Sequence, residues 1–431
     1  MVIQRQHYLD SLIRKRENGL IKIITGLRRS GKSYLLFNLY YDYLLQTGVK
    51  PDHIITLSLE SDLSIKYRNP LELSTYLHQL VSRDKDIFYV FLDEIQMVES
   101  VVNPYVPSGK KVGFTDVLLG LMRLPNVDIY VTGSNSKMLS SDVATEFRGR
   151  GDEVKIYPLS FEEYYAAYSG DKNEAWREYC VYGGMPYILS FDSHEGKSKY
   201  LNNLLFKVYV SDVLERYKVL NDREMLDDLL RFMASSVGSF TSTSKLANTF
   251  KSVKNINVQP ATLHKYLSFF KDAFLVNEIR RYDIKGRKYI GSPTKYYFAD
   301  LGLRNACLNF RQLEENHIME NCIYNELVYR GYSVDVGMQE YNFKNSEGKS
   351  CRTQLEVDFV ATKGYEVMYV QSAFAMENME KQEQEIRPLR RVGNSFKKVV
   401  VSKDCLMPYV DEWGIHHVDL QSFLLHADTI L

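Results

Sequence analysis

Short apolar runs alternate with longer amphipathic stretches over the first third of the chain. The runs are Leu20–Thr25 (LIKIIT), His53–Glu60 (HIITLSLE), Ile87–Asp93 (IFYVFLD), Val127–Thr132 (VDIYVT) and Val154–Tyr157. Helix-length segments such as Tyr34–Leu45 and Thr115–Leu124 lie between them. Near-continuous apolar strands separated by helices predict a parallel sheet covered on both faces. The pattern then changes. Ser160–Leu214 reads as mostly helical, broken by the turn-forming Gly183-Gly184-Met185-Pro186. That break is either a plain corner between helices or a point of lid motion. Two short amphipathic helices follow, Ser244–Phe250 and Pro260–Phe270, with Asn255-Ile256-Asn257 in their turn. Two strands come next, Phe274–Tyr282 and Lys295–Ala299, separated by the basic stretch KGRKYIG. This order predicts a helix-turn-helix with a β-wing. The last part reads as a helix over 317–331 and strands over 332–337, 354–362 and 365–375.

Composition narrows the class. A chain of 431 residues predicts two or three domains, and 45% hydrophobic residues support packed cores. Formal net charge is +0, so any surface for nucleic acid must be local. The five cysteines form no Cys-x-x-Cys pair, which argues against a disulfide framework and a zinc ribbon. The N-terminus is too charged for a signal peptide, and no apolar run approaches the ~20 residues of a membrane span. The expectation is a soluble, cytoplasmic protein with no membrane partner.

Chemistry concentrates at the ends of the apolar runs. Gly26-Leu27-Arg28-Arg29-Ser30-Gly31-Lys32-Ser33, with Tyr34 next, fits G-x-x-x-x-G-K-[ST]. A glycine bend turns backbone N–H groups toward a phosphate, and the following helix presents its free N–H groups to the same anion. Lys32 is expected to reach the β- and γ-phosphates, and the Ser33 hydroxyl to ligate Mg²⁺. FYVFLDEIQ ends a strand in Asp93 and Glu94. Carboxylates at the C-terminal tip of a parallel strand point into the ligand crevice. Asp93 is expected to hold the metal through water, and Glu94 to act as general base. After the fourth run, Ser134 and Asn135 are candidates to orient the attacking water, or to cap a helix. Arg148 and Arg150 either stabilise transition-state charge or sit in a solvated turn.

GLRRSGKS, VFLDE, TGSNS, GRGDEVKIYPLSFEEYY and YGGMPY together resemble the prokaryotic AAA-type, archaeal-ATPase-like P-loop family. The resemblance runs through nearly the whole chain. It implies ATP and Mg²⁺ as ligands, a helical lid, and an extra strand between those carrying the two nucleotide motifs. The expected fold is α/β: a P-loop core over 1–158, a lid over 159–222, a winged helix over 223–308 and a nuclease-like domain over 309–431.

Two further modules carry expectations. Thr243–Gly291 holds ten Lys/Arg against three Asp/Glu, which suits a face that tracks phosphate. Lys265, Lys285, Arg287 and Lys288 are its candidate DNA contacts; docking onto a protein partner is the alternative. The C-terminal part resembles the PD-(D/E)XK nuclease core. Asp358 matches that core's first acid and Glu320 its helix acid. Gln371 and Ala373 stand where a second acid and a lysine are expected, and Gln is a poorer Mg²⁺ ligand than a carboxylate. The resemblance therefore implies a degenerate nuclease site. The expected activity is Mg²⁺-dependent ATP hydrolysis coupled to these modules, with DNA, a protein or another copy of the chain as partner. The alternatives are a DNA-binding or scaffold protein with structural ATP, and an ATP-dependent nuclease.

Overall fold

The computed structural model describes residues 2–106, 109–133, 147, 149–219, 222–344, 349–374, 379–403, 405 and 407–425. Ser134, Asn135 and Arg148 lie outside the described residues. The chain divides into two compact units, Met1–Pro158 with Asp272–Phe274, and Leu159–Lys271 with Leu275–Leu431.

Five strands build the first unit: β1 (Ile21–Gly26), β2 (Ile54–Ser58), β3 (Phe88–Asp93), β4 (Val127–Thr132) and β5 (Gly151–Ile156). All neighbours run parallel, in the order β2-β3-β4-β1-β5. β4 thus lies between β1 and β3, the inserted strand that the resemblance implied. Every residue of β1 and β3 is buried, as strands covered on both faces require. One core gathers Ile23, Val90, Leu92 and Ile129 with Leu73, Leu77 and Leu118 of the flanking helices Pro70–Val81 and Phe114–Leu121.

β1 also buries a charge. Lys22 is fully buried and pairs with the buried Asp128 of β4. Asp128 also accepts from the Glu17 backbone N–H at 2.9 Å and the Tyr130 hydroxyl at 2.8 Å. The Tyr130 and Tyr40 hydroxyls are 2.6 Å apart, so the polar chain continues into the helix behind the P-loop. A buried ion pair persists only when its remaining valences are met in this way.

The second unit begins with the helices Phe161–Ala166, Lys172–Tyr182, His194–Asn202 and Val210–Tyr217. Its Gly183-Gly184 corner is fixed by close packing. A Cβ on Gly184 would lie 2.2 Å from the Leu159 carbonyl oxygen, and one on Gly183 2.5 Å from the Asp300 carboxylate. Asp300 accepts from the Gly184 N–H at 2.7 Å and caps helix Leu301–Cys307 through the Leu303 N–H at 2.9 Å.

Helices Thr243–Lys254 and Pro260–Asp272 precede a hairpin of β6 (Val276–Asp283) and β7 (Lys288–Phe298). The later strands are β8 (Ser333–Lys344), β9 (Ser350–Lys363), β10 (Glu366–Ala373), β11 (Lys397–Ser402), β12 (Tyr409–Val410) and β13 (Ile415–Asp419). They form one sheet in the order β12-β13-β11-β10-β9-β8-β6-β7. β6 pairs in parallel with β8, so the hairpin expected as a separate wing is the edge of this sheet. Residues 223–308 and 309–431 therefore share backbone hydrogen bonds rather than parting at 308. An unpaired strand edge beside another strand closes the ladder, because its N–H and C=O groups need partners. Among the described residues, no helix is long and apolar enough to cross a membrane.

Candidate active site

The loop after β1 carries the nucleotide motif into a helix that begins as Lys32–Tyr34, widens to π geometry over Leu35–Tyr40 and continues as Tyr41–Gln46. Three of its residues have positive φ: Gly26 at 135°, Arg29 at 66° and Gly31 at 96°. These left-handed bends let successive N–H groups face inward. Gly26 is also required by space, since a Cβ there would lie 2.0 Å from the carbonyl oxygen of Ile156 on β5. Arg5 braces the loop from outside, donating to the Ser30 carbonyl at 3.1 Å and to the Tyr157 carbonyl at 2.7 Å. Ser30 is buried, and its hydroxyl has no hydrogen-bond partner among the described residues. Leu27 is buried, and Arg29 is exposed. The Arg28 guanidinium lies 3.5 Å from Glu60.

Lys32 is 4% exposed, and its ammonium donates to the Gly26 and Leu27 carbonyls at 3.2 and 3.1 Å. Burial pushes its pKa down to about 8, against the pull of Glu94 and Asp93. Ser33 donates from Oγ to Asp93 Oδ1 at 2.9 Å. Thr132, at the tip of β4, donates to the same Asp93 oxygen and accepts the Glu94 N–H at 3.1 Å. Sequence reasoning did not single Thr132 out. Its signal is a hydroxyl at a strand tip next to Gly133, which becomes informative only once β4 is known to lie beside β3. Glu94 stands at φ 52° and ψ 52°, a left-handed conformation that non-glycine residues seldom adopt. Its carboxylate accepts from the Gln96 amide. Backbone strain of this kind concentrates at functional sites. Gly26 to Ser33, Asp93, Glu94 and Thr132 thus meet at the C-terminal ends of three adjacent strands.

These residues fit a magnesium triphosphate. The loop supplies inward N–H groups, Lys32 an ammonium, and Ser33 with Asp93 a hydroxyl–carboxylate pair of the hard-oxygen type that Mg²⁺ prefers. Arg150 is placed elsewhere. It precedes Gly151, which pairs with Ile21 at the opposite end of β1 from Gly26. Six residues of strand separate the two ends by about 20 Å. Arg150 is exposed there and does not reach the nucleotide loop of its own chain.

Comparison with known proteins places this geometry. A family model described as an AAA domain matches residues 18–165, and a model of a domain of unknown function matches residues 173–314. An uncharacterised protein of Haemophilus influenzae is 32% identical over 407 residues, covering 93% of each chain. The chain belongs to the AAA-type P-loop ATPase family. An uncharacterised protein of Methanocaldococcus jannaschii is 28% identical over 343 residues, covering 76% of this chain and 70% of its own. Among solved structures, a Walker-type ATPase of Pyrococcus abyssi aligns with 71% of this chain and 96% of its own, at 18% identity and a TM-score of 0.47.

Outside the AAA domain, the structure brings Glu320, Asp358 and Gln371 together. The Asp358 backbone N–H lies 3.3 Å from Gln371 Oε1, and Asp358 Oδ2 accepts from the Ser372 N–H at 2.8 Å. Gln371 donates onward to Glu385 at 3.3 Å. Ala373 is buried in the apolar core beside them. The lysine missing from β10 comes from another strand. Lys295 of β7 places its ammonium 2.8 Å from Glu320, 2.6 Å from Glu356 and 3.9 Å from Asp358. Burial opposes that charge, but Glu320, Asp358 and Glu356 hold its pKa above the usual lysine range. Asp358 is pushed well up by burial and by Glu320. Sequence spacing could not find Lys295, because it is 63 residues from Asp358 and is brought near it by the joined sheet. The four basic candidates, Lys265, Lys285, Arg287 and Lys288, are all exposed.

Proposed function

We propose that this chain binds ATP with Mg²⁺ and hydrolyses it. The observation that carries this is the Ser33–Asp93 hydrogen bond of 2.9 Å, beside a buried lysine whose ammonium donates to carbonyls of its own loop. Lys32 exchanges those carbonyls for the β- and γ-phosphate oxygens. Ser33 and Asp93 would hold a Mg²⁺ ion, which would supply positive charge to offset that of the phosphates. Glu94 takes the proton of the attacking water, and Thr132 fixes its backbone for that task. Ser134 and Asn135 are proposed to position that water. Arg148 and Arg150 are proposed to act on the nucleotide of a neighbouring copy. Lys32→Ala is expected to abolish tight triphosphate binding, and Glu94→Gln to keep binding while losing turnover. Nucleotide titration beside a phosphate-release assay checks both. Wild-type turnover in Glu94→Gln would remove Glu94 as the base.

Within the second unit, we propose that Lys265, Lys285, Arg287 and Lys288 contact nucleic-acid phosphate. Contact with Z phosphates predicts a fall of log K with log salt at a slope of about −0.9Z on duplex. The carboxylate cluster is proposed to bind without cutting. The Lys295 ammonium already pairs with its acids, and a metal would have to displace that charge. Incubating labelled duplex with Mg²⁺ or Mn²⁺ is expected to leave it intact. Metal-dependent cleavage that disappears in Asp358→Ala would overturn this assignment.

A further inference from the structure

The second unit contains a groove of about 820 Å³ where the β6–β7 hairpin meets the outer part of the large sheet. Its walls come from segments far apart in sequence. β6 and β7 contribute Tyr282 and Tyr289, whose rings pack edge to face at 5.5 Å. β10 and the turn before β11 contribute Tyr369 and Phe396, with ring centroids 6.3 Å apart. Tyr289 is 61% exposed and Phe396 44% exposed, so both offer ring surface to a ligand. Leaving such rings in water is unfavourable, and two around one groove mark a surface that takes flat apolar partners.

The charge of the groove selects the rest of the ligand. Lys285 and Arg287 enter from the hairpin, and Arg391 from the end of helix Met379–Arg391. Against these three cations stands one acid, Asp335, which accepts from the Tyr289 hydroxyl at 3.1 Å. The walls also offer hydrogen-bonding groups. Gln339 donates to the Arg391 carbonyl at 2.6 Å, while its own Oε1 is buried with no hydrogen-bond partner among the described residues. A buried acceptor left unmet is costly and favours a ligand that brings a donor. Asn394 donates to the Tyr369 hydroxyl at 2.8 Å and stands at the same wall.

Aromatic faces, cations and amide groups in one groove match a nucleobase with its flanking phosphates. A duplex keeps its bases stacked inside and would engage only the cations. A single strand offers base faces and phosphates together, and stacking on aromatic side chains is the main way proteins hold it. We infer that this groove binds single-stranded nucleic acid, with unpaired bases stacked on Tyr289 and Phe396 and flanking phosphates on Lys285, Arg287 and Arg391. This deepens the phosphate-contact reading of the basic hairpin and rests on it.

The test uses the full chain, with Lys32→Ala as a background in which the P-loop does not compete for nucleotide. A labelled oligodeoxythymidine and the same strand annealed to its complement are titrated by fluorescence anisotropy at several salt concentrations. The strand is expected to bind more tightly than the duplex. Tyr289→Ala and Phe396→Ala should each weaken strand binding about tenfold or more, without changing its salt slope or the duplex affinity. Tyr289→Phe and Phe396→Tyr should retain it, since the ring rather than the hydroxyl carries the contact. Joint replacement of Lys285 and Arg287 by Gln should flatten the salt slope for the strand. Melting curves of the alanine variants should match the wild type, because both rings are exposed. Equal affinity for strand and duplex, untouched by the ring variants, would overturn the inference and leave the phosphate reading standing. Absence of binding to either would overturn both. Displacement of the strand by thymidine monophosphate at strand-equivalent concentration would assign the groove to a free nucleotide and overturn the strand.

Discussion

Lys32 shows how one residue can link a loop's resting geometry to its ligand. Its ammonium is buried against carbonyls, and burial lowers its pKa to about 8. A bound triphosphate favours the charged form, so binding takes up a proton once the free side chain has lost it. ATP affinity should therefore be insensitive to this group below pH 8. It should fall as pH rises through and beyond 8, approaching tenfold per unit until the pKa of the complex is reached. Calorimetric titrations in buffers of different ionisation enthalpy would show the proton uptake directly. A flat affinity from pH 7 to 10 would mean that Lys32 is not perturbed in this way. Glu94 illustrates a second residue-scale point. Its left-handed backbone opposes local preference, and the Thr132 hydroxyl at 3.1 Å from its N–H holds it there.

At the level of elements, the P-loop depends on the fit between β1 and β5. Gly26 pairs with Ile156, and a Cβ added to it would lie 2.0 Å from the Ile156 carbonyl oxygen, which leaves no room for a methyl group. The obstacle is backbone rather than a flexible side chain, so neither strand can yield cheaply. Gly26→Ala is expected to cost about 3 kcal/mol or more and to lower triphosphate affinity with it. Gly120→Ala is the matched control. Gly120 lies within helix Phe114–Leu121 and would meet nothing within 4 Å, so alanine there should be neutral or stabilise by up to about 1 kcal/mol. Urea denaturation of both variants separates the close approach from a general effect of replacing glycine. Equal stability in the two would remove the steric account of Gly26.

For the molecule as an assembly, the position of Arg150 sets the expectation. The sheet holds it at the end of β5 remote from Gly26, beyond reach of its own loop. An arginine that acts on phosphate from there must act on another copy. Specific ATPase activity should then rise with protein concentration. Mixing Arg150→Ala subunits with Glu94→Gln subunits should restore some turnover, because a mixed interface combines an intact base with an intact arginine. Concentration-independent activity in a verified monomer would eliminate this role. The five-stranded sheet needs no partner to bring Lys32, Ser33 and Asp93 together. Assembly is expected to govern turnover more than nucleotide binding.

The nucleotide loop, the tip of β3 and the parallel sheet were legible in the sequence because each is a local property. Apolar runs of strand length, a fixed glycine spacing and acids at a run's end all lie within short windows. The resemblance added the strand between β1 and β3, which local pattern does not order. Tertiary structure decided what depends on contacts between distant segments. Lys22 reads as an interruption in an apolar run, and only the pairing of β1 with β4 supplies Asp128 to neutralise it. The hairpin after Pro260–Asp272 reads as an independent wing, and only the parallel pairing of β6 with β8 makes it the edge of a larger sheet. Through that sheet Lys295 reaches Glu320 and Glu356, and Tyr289 comes to share a groove with Phe396. Motif spacing encodes chemistry that the backbone delivers within one turn. Charge neutralisation and shared grooves arise from register between strands, which no single window of sequence contains.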